Sequence, residues 1–278
     1  MKKWHLSQIP RQAFFYWGNS SLPWLRYLTL ATFRHYHPDW KMVCYTKDPQ
    51  TPATDVLDVD YWPYLRDINV EIDVAPPIEK TFGFDISQTP DDHWRDVYRS
   101  DYLRWYLLYE CGGLWADMDI LFIRSVLYTS WNRVKNANIT SVVLPVPYNN
   151  LILSSPGSHL ALTLWSEAFN ITQEEILKDP FSTGPLHFNK VRGGYEADPP
   201  KKYDNLLEIP VKSTEIVDPD GKDYEKRGEL EIPSETLGIH WHGSGLFAKY
   251  KEITEQNYEL DETLLGQLVR YTLHKMNN

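Results

Sequence analysis

Residues 94–119 restrict the fold of this chain more than any other stretch. Large apolar residues cover every side of the helical pattern over 94–110, so that helix must be enclosed by other elements. Gly112-Gly113 then supply the left-handed backbone at which helices stop. Leu114-Trp115-Ala116 follow as a short apolar strand running into Asp117, with Asp119 two residues on. An enclosed helix that turns straight back into a buried strand belongs to a covered sheet, and such a sheet needs a sizeable core. With 278 residues and 42% hydrophobic composition, the chain can supply one.

The flanking patterns agree. Ala13-Phe14-Phe15-Tyr16-Trp17 predict a buried first strand opening into a loop at Gly18-Asn19-Ser20-Ser21. Pro23 suits a first helical turn, and Leu25, Leu28, Thr29, Thr32 and Phe33 keep helical spacing until His37-Pro38. Residues 42–45 read as a second strand, and the alternation over 68–74 as a half-buried one ended by Ala75-Pro76-Pro77. Further strands are expected over 141–145, 151–155 and 235–241, and helices over 160–169 and 261–275. Strands alternating with helices predict an α/β fold with a mostly parallel central sheet flanked by helices, in one domain. Ligands of such sheets collect beyond the carboxyl ends of the strands, where Trp17-Gly18 and Asp117-Met118-Asp119 fall.

A formal net charge of -10 argues against holding nucleic acid by bulk attraction. A nucleotide ligand stays open, because a divalent cation neutralises a diphosphate locally. Met1-Lys2-Lys3 precede no apolar run of signal length, and no stretch could span a bilayer, so a soluble, cytoplasmic protein is expected. Cys44 and Cys111 cannot form a zinc site by themselves and are expected as buried thiols. The sequons at Asn19, Asn138 and Asn170 read as chance matches.

Two carboxylates one residue apart at a strand end can both face a cleft if the strand twists or bulges there. Mg²⁺ and Mn²⁺ take one or two such oxygens and leave positions for water and substrate phosphate. The competing reading is an ordinary solvated turn. Asp101 and Arg104 stand i, i+3 on the helix, among Tyr102, Leu103, Trp105 and Tyr106. They are either a surface ion pair or a planar, preorganised grip on a ligand, in which Arg104 donates a fork and Asp101 accepts from hydroxyls.

Arg99-Ser100-Asp101-Tyr102-Leu103-Arg104, followed by Leu108-Tyr109-Glu110-Cys111-Gly112-Gly113-Leu114-Trp115-Ala116-Asp117-Met118-Asp119, resembles the sugar-binding region of glycosyltransferase family 32. Relatives of that family include yeast mannosyltransferases and the glucosylating domains of large clostridial toxins. The resemblance implies a GT-A fold and transfer with retention at the donor carbon. It further implies that Asp119 coordinates the metal, that Asp117 binds the ribose and assists at the metal, and that Asp101 and Arg104 hold the transferred sugar.

Ile9-Pro10 with Phe15-Tyr16-Trp17-Gly18 is similar to the family's first strand, where the tryptophan stacks on the nucleotide base; the competing role for Trp17 is core packing. Gly238-Ile239-His240-Trp241-His242-Gly243-Ser244-Gly245 resembles a late histidine segment that completes the metal site, with His240 the first choice and His242 the second. Where the family has Ser-Trp, this chain has Ser244-Gly245. Asn149-Asn150 and Ser182-Thr183-Gly184-Pro185 resemble segments lining the sugar or acceptor side, and turn chemistry alone would also account for them.

The expected activity is therefore metal-dependent hexose transfer of the kind used in polysaccharide biosynthesis. Mn²⁺ or Mg²⁺ and a nucleotide-sugar donor, UDP-linked before GDP-linked, would serve it. The acceptor would be a glycan, a lipid-linked glycan or a protein. The nucleotide part would occupy about 1–122 and the acceptor side about 123–278 of a single domain. An Asp-x-Asp phosphatase would call for Thr or Val where Leu121 stands. A non-catalytic carbohydrate-binding module would leave an upstream nucleotide-stacking Trp17 without a role.

Overall fold

The computed structural model describes residues 9–18, 21–47, 59–77, 85–89, 91–127, 140–144, 148–192, 203, 206–209, 211–215, 222–243 and 253–278. Asn19, Asn138, Ser244 and Gly245 lie outside these residues.

The first half runs β1 (Gln12–Tyr16), α1 (Trp24–Tyr36), β2 (Lys41–Thr46), β3 (Glu71–Val74), α2 (Asp92–Glu110), β4 (Gly113–Ala116) and β5 (Ile120–Phe122). The second half runs β6 (Ser141–Val143), β7 (Leu151–Ser154), α3 (His159–Ala168), α4 (Gln173–Lys178), α5 (Pro185–Arg192), β8 (Leu206–Glu208), β9 (Gly238–His240) and α6 (Leu264–Asn277). Seven strands form one sheet in the order β3-β2-β1-β4-β7-β6-β8. Every pair from β3 to β4 is parallel, as is β6 with β8; β7 runs antiparallel to both β4 and β6. The expected mostly parallel, helix-flanked sheet is thus present. β5 and β9 make a separate antiparallel ribbon.

The central strands are buried on both faces, and their side chains alternate between two apolar clusters. Phe14 and Trp115, which are register partners, join Tyr102, Trp105 and Phe188 beneath α2. Phe15, Leu114 and Ala116 join Phe33, Phe122 and Leu268 on the α1 and α6 side. Trp105 is fully buried, stacks on Phe188 with ring planes 6° apart, and donates its Nε1–H to the Thr183 carbonyl. That indole locks α2 onto the segment preceding α5.

Helix α2 begins two residues earlier than its apolar pattern suggests, because Asp91 accepts from the backbone N–H of His93 and Trp94 and caps it. It ends at Gly112 (φ 63°) and Gly113 (φ 104°), both left-handed. A Cβ at Gly112 would stand 2.5 Å from the Pro156 backbone nitrogen, and one at Gly113 would stand 2.6 Å from the Gln12 carbonyl oxygen. The joint therefore excludes side chains on two counts.

Several expectations need correction. The alternation over 68–74 yields a strand only from Glu71 to Val74, exposed at all four positions, since β3 is the sheet edge. Residues 67–69 are a turn with Asn69 at φ 52°. Pro23 is the residue before α1 rather than in its first turn. The late strand contracts to Gly238–His240, and α6 begins at Leu264 because Thr263 caps it. Cys44 is buried as expected, whereas Cys111, just past the end of α2, is exposed.

Candidate active site

The end of the sheet assembles the site. β4 and β7 pair as far as Ala116 and Leu151, and the next rung is the Asp117 N–H donating to the Asn150 carbonyl at 2.9 Å. Asp117 thus leaves the ladder opposite Asn149-Asn150. Arg104, three residues along α2 from Asp101, reaches into this corner. Its Nη1 donates to the Asn149 carbonyl at 2.7 Å and its Nη2 to Asp117 Oδ1 at 2.8 Å, with Asp101 Oδ1 at 3.4 Å. Trp115 Nε1 also donates to Asp117 Oδ1, at 2.8 Å. The guanidinium lies 5.2 Å from the Trp115 ring centroid and 5.5 Å from that of Trp105.

Asp101 and Arg104 are 4% and 3% exposed, so the surface ion-pair reading falls. The guanidinium is held more closely by Asp117 than by Asp101. The second oxygen of Asp101 accepts from the Thr183 hydroxyl at 2.7 Å, and a Cβ on Gly184 would come within 2.6 Å of either carboxylate oxygen. The Ser182-Thr183-Gly184-Pro185 segment therefore faces Asp101 directly. Burial pushes the Asp101 carboxyl up to about 6 against the opposing pull of Arg104. Burial also raises Asp117, again opposed by Arg104.

Asp119 begins the second half of the site. Its carbonyl accepts from the Trp241 N–H at 2.9 Å, extending the β5–β9 register in which Ile120 faces His240. Its carboxylate accepts from the Gly243 N–H at 2.8 Å and lies 3.2 Å from His240 Nε2 and 3.5 Å from Arg26 Nη1. Burial alone would raise this carboxyl, but the His240 imidazole, then Arg26 and His242, hold it well below the usual carboxylate range. Burial opposes a charge on His240, yet Glu215 and Asp119 on either side raise its pKa well above the ordinary value. Glu215, also buried, is held down to about 2 by His240 and His242.

Arg26 is 3% exposed and sits between two indoles, with its Cζ 4.6 Å from the ring centroids of both Trp17 and Trp241. Trp17 is half-buried, and its Nε1 donates to the Ser21 carbonyl at 2.7 Å. The loop between β4 and β5 is fastened from α1, where the Thr29 hydroxyl donates to the Met118 carbonyl at 2.9 Å.

Two groups of side chains could hold a cation, and they share His240. Asp117, Asp119 and His240 offer ligand atoms all within 4.8 Å of one another, as do Glu215, His240 and His242. Two carboxylates and one imidazole suit Mn²⁺ or Mg²⁺, and Asn150 Oδ1, buried beside them, has no hydrogen-bond partner among the described residues. The donor set thus fits the cation expected from the sequence. His242, at φ 52°, lies with Glu215 rather than with the aspartates, and its ring centroid is 3.9 Å from that of His240.

Asp101, Arg104, Asp117, Asp119, Asn150 and His240 thus converge through direct contacts, and Trp17 joins through Arg26. Sequence reasoning missed Arg26 and Glu215. Arg26 was legible as a charge within the apolar α1 pattern, the same signal that singled out Asp101 and Arg104. Glu215 has no local pattern of its own.

Residues 26–138 match a family model described as a glycosyltransferase sugar-binding region containing the DXD motif. This span includes Arg26, Asp101, Arg104, Asp117 and Asp119. None of the curated proteins compared with the chain matches it. Similar solved structures include the PaToxG glycosyltransferase, at 15% identity over 66% of this chain and 68% of that one, with a TM-score of 0.45. An active-site mutant of LgtC matches at 10% identity over 84% and 87% of the two chains, TM-score 0.45. The galactosyltransferase LgtC in complex with donor and acceptor sugar analogues matches at 11% identity over the same shares, TM-score 0.43. Among the described residues no helix is long and apolar enough to cross a membrane. Residues 26–138, with the paired aspartates among them, thus match the sugar-binding region of glycosyltransferases that contains the DXD motif.

Proposed function

We propose that the chain transfers a hexose from a nucleotide-sugar donor to a hydroxyl of a glycan, lipid-linked glycan or protein, with the help of Mn²⁺ or Mg²⁺. The observation that carries this reading is the convergence of Asp117, Asp119 and His240 next to the buried Asp101–Arg104 pair. Asp119 and His240 would hold the cation, with Asp117 between cation and donor. When bound, the cation supplies positive charge against the leaving diphosphate, which stabilises the transition state more than the ground state.

The side chains divide the remaining work. Asp101, held by the Thr183 hydroxyl, accepts from sugar hydroxyls, and Arg104 donates to sugar or phosphate oxygens from a fork fixed by Asn149 and Asp117. Trp17 offers an indole for the nucleotide base, with Arg26 stacked on it as an anchor. Retention rests on the resemblance to family 32, as does a UDP-linked donor ahead of a GDP-linked one. The division into a nucleotide part over about 1–122 and an acceptor side beyond it, in a GT-A domain, fits the positions of these residues. His240 and Asn150 would then reach the donor site from the acceptor half.

A panel of UDP- and GDP-hexoses incubated with the protein, with Mn²⁺ or after chelation, tests the reading. Metal-dependent release of the nucleoside diphosphate, lost in a folded Asp119→Ala variant, is the expected result. Turnover undiminished by chelation would overturn the metal dependence.

A further inference from the structure

Glu215 lies outside both the Asp-x-Asp motif and the matched family region. It is nonetheless the hub of the far side of the site. Its backbone is sewn to the β9 segment, the Leu237 N–H donating to the Ser213 carbonyl at 2.9 Å and the His240 N–H to the Thr214 carbonyl at 3.0 Å. Its two carboxylate oxygens then divide between two imidazoles, with Oε1 2.9 Å from His240 Nδ1 and Oε2 2.8 Å from His242 Nε2. The Thr214 hydroxyl and the Asn150 amide also donate to Oε1. A side chain 3% exposed and this fully engaged has a fixed geometry.

We propose that Glu215 is a positioning residue that sets the tautomer of His240 for the cation site described above. A neutral imidazole carries its proton on one nitrogen and its lone pair on the other. A cation at the paired aspartates would take the place of a proton on Nε2, so the proton that remains is the one on Nδ1, donated to Glu215 Oε1, and the lone pair is on Nε2, 3.2 Å from Asp119 Oδ1. A carboxylate behind a metal-ligating histidine fixes the ring and makes its free nitrogen a better donor. Asn150 lies against the same nitrogen, its Nδ2 2.8 Å from His240 Nδ1, and its donation to Glu215 Oε1 helps hold the carboxylate in place.

The same geometry decides between the two groups that share His240. One ring cannot give both nitrogens to a single cation, and the Asp117–Asp119–His240 group is the richer in oxygen, as Mn²⁺ and Mg²⁺ prefer. His242 is then a partner of Glu215 and not a ligand. This inference rests on the proposed cation site, and its test separates the two.

Mn²⁺ binding to the whole chain, read from the electron paramagnetic resonance of the free ion without any donor, is the assay, with thermal midpoints as the check on folding. Glu215→Ala should weaken Mn²⁺ affinity by about 10- to 100-fold, and Glu215→Gln, which keeps an acceptor oxygen, by less. His242→Ala should stay within about threefold of the parent, as expected for a group that only touches the positioning carboxylate. Asp119→Ala should lose binding. If both Glu215 variants bind as tightly as the parent while Asp119→Ala does not, the role of Glu215 is overturned and the cation site stands. Should Glu215→Ala fail to fold, Glu215→Met, of similar length and without an acceptor oxygen for Nδ1–H, replaces it, and unchanged affinity there overturns the role equally. A loss in His242→Ala as large as in Glu215→Ala would place the cation on the other group and also overturn it. Unchanged binding in Asp119→Ala would refute the cation site itself.

Discussion

Replacing Asp101 with asparagine measures what the protein gives up to keep a carboxylate in the wall of its site. The group is 4% exposed, with one close donor in the Thr183 hydroxyl and a looser contact to Arg104 at 3.4 Å. Burial outweighs these partners and lifts its pKa from 3.8 to about 6. The folded protein therefore binds this proton more tightly than the unfolded chain does, so the stabilisation is fully present below the ordinary carboxylate pKa and is lost as pH rises through about 6. At 1.36 kcal/mol per unit the whole loss is of order 3 kcal/mol, and about 2 kcal/mol of it falls between about pH 4.5 and pH 7.5. Asparagine does not titrate, and the other acids are common to both proteins. Urea unfolding followed by tryptophan fluorescence at the two pH values should show the parent losing about 2 kcal/mol relative to Asp101→Asn as pH rises. A difference that stays constant, or moves the other way, would refute burial as the dominant influence on Asp101.

Arg104→Lys keeps a positive charge but cannot span the Asn149 carbonyl and Asp117 together, so kcat/KM for donor turnover should fall by about 100-fold with the circular dichroism unchanged. Arg104→Ala, which leaves two carboxylates without their cation, should cost about 3–5 kcal/mol of stability in denaturant titration. Gly184→Ala sets a methyl against a buried carboxylate already held by Thr183 and Arg104, so turnover should drop by about 10-fold or more and denaturant titration should show a loss of about 1–3 kcal/mol. Thr263→Ala removes the hydroxyl that accepts from the Gly266 N–H at the start of α6, and should cost about 1 kcal/mol with no change in Mn²⁺ dependence.

Local rules placed α2, the paired glycines and β4, but an Asp-x-Asp pattern by itself reads as a solvated turn, and it took the resemblance of residues 99–119 to a known sugar-binding region to single out the aspartates. Charges amid apolar neighbours announced Asp101 and Arg104, and the same reasoning applied to α1 would have found Arg26. Glu215 escaped because it is brought in by the backbone bonds of Ser213 and Thr214 to the strand ending at His240, a pairing that leaves no period in its own surroundings. The role of His242 turns on a left-handed backbone angle that no neighbouring residue signals. Alternation over 68–74 was genuine, but an edge strand can show it without being half-buried.

The two-glycine joint between α2 and β4 makes one jaw of the active site immovable. Arg104 on the helix and Asp117 at the strand end are tied to each other, and the turn that connects them is wedged between Pro156 and Gln12 with no room for slack. Lengthening that turn by even one residue would pull the guanidinium out of line with the carboxylate.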